Sequence, residues 1–154
     1  MTSTEFFDQI NTAIQSKHPF VVFSKPESRS VKAYIQTNIQ THIISDYSES
    51  GFVFAPFDSE KDSYYIPLET STTLELAQPD FEGVPITSSL HTIDSTADHL
   101  NLVSNAIDEI NTTDLEKVVL SREFKFNLEH SNPPEIFKKL AQNYPSAFTY
   151  CWFH

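Results

Sequence analysis

The sequence predicts an α+β fold of antiparallel sheets with packed helices, and three observations predict it. Short apolar runs rich in β-branched and aromatic residues, at 20–23, 51–57, 118–120 and 147–153, are bounded by proline or polar turns, as strands are. Three longer stretches, 4–17, 94–111 and 134–144, repeat their apolar residues at helical spacing instead. The 154 residues carry thirteen Phe and six Tyr but only two Gly, so aromatic packing is abundant while a glycine-rich phosphate loop is nearly excluded.

The first helix is expected over 4–17, capped by Thr4, with Phe6, Phe7, Ile10, Ala13 and Ile14 on one face, and it ends at His18-Pro19. Residues 20–23 form a short buried strand that stops near Pro26, and 27–30 form a polar turn. Residues 31–44 have β-type content with imperfect alternation, which predicts one or two strands. Residues 51–57 are a strand ended by Pro56, and 64–68 a short strand whose Pro67 suits a sheet edge. Residues 69–95, rich in Thr, Ser, Asp and Pro, are expected to be a long surface connection with room for one short strand or turn of helix.

Residues 94–111 carry the clearest helical pattern. Ser95 or Thr96 can cap it, Asp98 suits its first turn, and Leu100, Val103, Ala106, Ile107 and Ile110 share a face. A long strand is expected over 116–128. Val118-Val119-Leu120 would be buried on both faces, and the alternation Glu123-Phe124-Lys125-Phe126 half-buried. Pro134 opens a helix to Tyr144 with Ile136, Phe137, Leu140 and Ala141 inward, and Pro145 stops it. Residues 147–153 form a last strand, apolar on both faces. The chain stops at His154 directly after that strand, so the expectation is a piece of a longer protein.

The formal net charge is −11, with no basic cluster, which makes nucleic acid and anionic membrane poor partners. A small anion is compatible with that charge, because a local Lys/Arg pair can override the global field. No apolar stretch reaches membrane-spanning length, and the N-terminus lacks the basic start and apolar core of a signal peptide. The single cysteine, Cys151, forbids an internal disulfide and fits a reducing compartment, so a cytoplasmic location is expected.

Candidate chemistry is sparse. His18, His42, His91, His99, His130 and His154 show no metal-ligand spacing with each other, with the cysteine or with carboxylates. Cys151 sits among aromatics as a buried, inert thiol. Ser121 lacks the flanking glycines of a hydrolase elbow. Lys117 remains, at the entrance of the expected central strand. Either it snorkels, its stem on the core and its ammonium in water, or it is placed there for chemistry.

The stretch Asp114-Leu115-Glu116-Lys117-Val118-Val119-Leu120-Ser121-Arg122, with the helix before it, resembles the chorismate-binding enzymes: the isochorismate, salicylate, anthranilate and aminodeoxychorismate synthases. Asn143-Tyr144-Pro145-Ser146-Ala147-Phe148 and the aromatic strand after it resemble the same family. So does Gly51-Phe52-Val53-Phe54-Ala55-Pro56-Phe57, as found in isochorismate synthases of the menaquinone pathway. The resemblance implies a partial fold like anthranilate synthase component I. Residues 1–154 would be the N-terminal part of one chorismate-binding domain, with 1–93 a variable subregion and 94–154 the start of the catalytic core.

It also implies chorismate as substrate, and Lys117 as the general base of the members that attack with water, where ammonia-using members carry glutamine. Isochorismate synthase is thus the implied activity, with salicylate synthase as the alternative within the family and a non-catalytic interaction domain as the alternative outside it. Magnesium (Mg2+) is the implied cofactor. The family's general-acid and metal-binding glutamates fall after the position of His154, so the 154-residue chain alone is expected to be inactive. Apolar surface left exposed predicts self-association.

Overall fold

The computed structural model describes residues 1–44, 46–77, 79, 81, 96–121 and 132–154. The chain divides into two compact units, Met1–Ile86 with Asn132–His154, and Thr87–Ser131. The α+β class with antiparallel sheets is what the structure contains.

The larger unit starts with α1 (Ser3–Gln15). Its cap is Thr2 rather than Thr4. The Thr2 hydroxyl accepts from the Glu5 amide at 3.2 Å, while the Glu5 carboxylate accepts from the Thr2 amide at 2.8 Å. The reciprocal pair satisfies two donors that the helix cannot. Those bonds from Thr2 hold the Glu5 carboxyl below its ordinary range.

Strand β1 (Phe20–Ser24) follows, then β2 (Ser30–Gln36), so the 31–44 stretch resolves into two strands, the second being β3 (His42–Ile44). The turn between β2 and β3 closes around fully buried Gln36, whose amide donates to the Gln40 carbonyl at 2.9 Å and to Asn38 Oδ1 at 3.3 Å. Next come β4 (Gly51–Phe54), β5 (Ser63–Pro67) and β6 (Ser71–Ala77). After the other unit, α3 (Pro133–Asn143) and β7 (Thr149–Phe153) complete this one. Helix α2 (Thr96–Thr112) belongs to the other unit.

Two antiparallel sheets result, with orders β6-β2-β1-β7 and β3-β5-β4. Alternation along β1 sends Phe20 and Val22 to one face, where they join Phe6, Phe7 and Ile10 of α1, Phe137 of α3, and Leu74 and Leu76 of β6. Val21 and Phe23 point the other way and pack with Ile66 of β5, Phe52 of β4 and Trp152 of β7. The larger sheet therefore lies between a helical layer and the smaller sheet, and β1 has no wet face. Each large side chain buried here contributes about 1.5–3 kcal/mol.

Three expectations change. Strand β5 is the middle of its sheet, not an edge. Pro67 is tolerated because it is the terminal residue, opposite Gly51, where a missing N–H breaks little of the ladder. The supposed surface connection contains β6, an edge strand paired with the whole of β2 from Ser30↔Ala77 to Gln36↔Ser71. In α3, Phe137 and Pro134 turn inward as the helix docks through its N-terminal half, whereas Ile136 and Leu140 lie at the exposed margin.

Gly51 is required by contact rather than by backbone angle. A Cβ there would run into the Ile66 carbonyl across the β4–β5 ladder. Gly51→Ala is expected to destabilise the protein and to weaken protection of the Ile66 and Leu68 amides in hydrogen exchange; unchanged protection would contradict the packing described. Phe20→Ala removes a ring that stacks on Phe153 at 5.9 Å and fills the helical face. It is expected to cost about 3–5 kcal/mol in urea unfolding.

Candidate functional site

Helix α2 ends through its own threonines. Thr112 and Thr113 hydroxyls donate to the Asp108 and Glu109 carbonyls at 2.8 and 2.7 Å, and the Leu115 amide donates to the Thr113 hydroxyl at 3.3 Å. Hydroxyls that take up the last carbonyls of a helix compete with its continuation. The chain leaves the helix without regular secondary structure through Lys117 to Ser121.

Here the structure corrects the sequence reading. The described part of the expected 116–128 strand, residues 116–121, pairs with no strand among the described residues. Val118 is 43% exposed and Val119 82%, so the apolar run is not in a core. The physical reason is that a strand is a pairing: β-branched residues favour extended backbone, but burial needs a neighbouring strand on the ladder. Residues 122–128 of that expectation lie outside the described residues.

Lys117 shares this exposure. The ion pairs among the described residues, Lys32–Glu75, Lys61–Asp58 and Lys138–Glu135, do not include it. On α2, Leu100 and Ile107 of the expected apolar face are also exposed. Lys117 is thus presented on an open, partly apolar segment.

The larger unit carries two features that the sequence reading did not single out. The first is an aromatic row along β7 and the residue before it. Phe148, Tyr150 and Trp152 meet Phe52 and Phe54 of β4, with Phe54 stacked on Trp152 at 5.5 Å and Phe52 on Phe148 at 6.2 Å. Phe54, Phe148 and Tyr150 remain two-fifths or more exposed. The period-2 spacing of 148, 150 and 152 was the available signal. The second is a small concavity of about 260 Å³ lined by Phe23, Lys25, Ser28, Ser30, Lys32, Tyr34 and Glu75.

On the opposite face of β7, Cys151 packs against the helical core, and burial pushes its thiol above the ordinary range. Among the described residues, no three His, Cys, Asp or Glu side chains are grouped so as to hold a metal ion. No described helix is long and apolar enough to cross a membrane.

The geometry gives a layered α+β unit that ends in an aromatic strand and, in the other unit, a helix leading into the Lys117 segment. Residues 20–154 match the chorismate binding enzyme family, which takes in both units of the fold. The chain belongs to that family, whose members act on chorismate. No curated protein matches it, and no solved structure does.

A raised thiol pKa leaves less thiolate at neutral pH, so reactivity should be low there and should climb as pH rises. Cys151 is expected to react with iodoacetamide at pH 7.5 more slowly than it does in the urea-unfolded chain. Equal rates in the two states would show that the thiol is not buried.

Proposed function

We propose that this chain serves an isochorismate synthase of the menaquinone type, with Lys117 as the general base. The observation that carries the reading is the residue type at 117 in a chain of this family: an amine, where ammonia-using members are expected to carry a glutamine. An amide cannot take a proton from water near neutral pH, whereas a neutral amine can.

The reaction balances without an outside oxidant or reductant. The Lys117 amine takes a proton from water, and the water oxygen bonds to carbon 2 of chorismate. Both ring double bonds shift by one position, the carbon 4–oxygen bond breaks, and the hydroxyl leaves after taking a proton from a general acid. One water enters and one leaves.

A free lysine has a pKa of about 10.4, and bringing a base to about 7 or 8 means favouring the neutral amine by roughly 4 kcal/mol. An exposed segment does not supply that setting, so the reading requires the 117–121 run to be covered when substrate is bound. Val118 and Val119 give it an apolar surface that can be covered. The reading also implies Mg2+ at the substrate carboxylate. The described residues do not supply its ligands, and no step above runs through it.

The exposure of Lys117 favours a second reading, a non-catalytic module in which the lysine is a solvated side chain. Membership of an enzyme family weighs against it. In a form of the enzyme that turns over chorismate, Lys117→Ala is expected to lower kcat by at least about a hundred-fold while leaving chorismate binding measurable. Turnover close to that of the unaltered enzyme removes the base assignment. Chromatography of the products separates isochorismate from salicylate, which would require loss of pyruvate.

A further inference from the structure

We infer that the concavity at the β1–β2 turn is a binding site for a small, flat carboxylate, independent of Lys117. The net charge of −11 makes any gathering of cations on this chain informative. Three of its ten Lys and Arg side chains, Lys25, Arg29 and Lys32, fall within residues 25–32. The fold brings Lys25 and Lys32 to one concavity of about 260 Å³ and puts Arg29 on an adjoining groove that shares Ser28.

Register fixes the arrangement. Phe23 of β1 stands opposite Lys32 of β2, which stands opposite Glu75 of β6, so these three side chains form one row on the face away from the helices. Tyr34 lies two residues along β2 on the same face, its ring edge-on to Phe23 at 5.4 Å. The floor is therefore aromatic, and two lysines line the walls.

The turn above it is held in place. The Ser28 amide donates to the Lys25 carbonyl, the Ser30 amide donates to the Ser28 hydroxyl at 3.1 Å, and the Glu27 amide donates to the Pro145 carbonyl at 3.0 Å. Glu75 faces Lys32 at 3.7 Å, with both side chains about half exposed. So weak a pair can be displaced by a ligand carboxylate. The volume suits a single six-membered ring bearing one or two carboxylates. The ring would rest on Tyr34 and Phe23, and the oxygens would meet the lysines.

The test is a titration of the 15N-labelled chain with phthalate, benzoate, neutral benzamide and inorganic phosphate, followed by backbone amide shifts. Phthalate is expected to move the amides of residues 23–34 and 74–76, with benzamide leaving them in place. Lys25→Gln with Lys32→Gln is expected to weaken phthalate about ten-fold or more, and Lys61→Gln to leave it unchanged. Glu75→Gln is expected to tighten it several-fold, because it removes the competing carboxylate. Lys32→Arg, which keeps charge and fold, is expected to bind. The inference is overturned if no probe moves these amides, if the double lysine variant binds as well as the unaltered chain, if benzamide matches phthalate, or if phosphate binds more tightly than phthalate. None of these outcomes bears on Lys117.

Discussion

The structure depends on a single strand with no wet face. Phe20, Val21, Val22 and Phe23 are all buried, and alternation shares them between two cores. A half-buried strand organises one layer, whereas β1 joins two: helices α1 and α3 close on Phe20 and Val22, and the smaller sheet closes on Val21 and Phe23. The pairing partners are then constrained as well. β2 and β7 flank β1, and each must alternate in step with it. Val31, Ala33 and Ile35 of β2 and Cys151 and Phe153 of β7 fall on the helical side, while Tyr34 and Trp152 fall on the other. A slip of one residue in the β1–β2 pairing would send polar Lys32 into the helical core and turn Val31 out of it.

Much of this could be read from the sequence because burial leaves a periodic trace. Helix α1 advertised its inner face through Phe6, Phe7, Ile10 and Ala13, and the run at 20–23 advertised two buried faces by lacking alternation. Strand β6 was hidden for the converse reason. An edge strand with one dry face needs only Leu74 and Leu76, and Thr72, Thr73 and Glu75 between and before them read as loop. The position of β5 was hidden because strand order is not a local property. Pro67 excludes an interior ladder position, yet the end of a central strand is as acceptable as an edge. Gly51 gave the missing clue only in retrospect, since its bare Cα lets the Ile66 carbonyl approach.

The site was legible as a residue and illegible as an environment. The family and the amine at 117 can be read from a short motif. What a base requires cannot, because desolvation is produced by whatever covers the amine and not by the residues beside it in sequence. Val118-Val119-Leu120 looks like a core, but apolar character states a demand for burial, and only a partner strand or a bound molecule meets it. Val119 at 82% exposure is that demand unmet.

Net charge is the remaining point at which global and local properties part. At physiological ionic strength the Debye length is about 8 Å, so acidic side chains on distant faces are largely screened from a given pocket. What an anion meets at the β1–β2 turn is set by Lys25, Lys32 and Glu75, not by the sum over 154 residues. Two lysines against one carboxylate leave a local excess of one positive charge, on a floor of low polarity provided by Phe23 and Tyr34. An acidic surplus elsewhere disfavours polyanions such as nucleic acid, which contact many faces at once. A small carboxylate touches only one, so the charge that excludes large anionic partners is compatible with small anionic ligands.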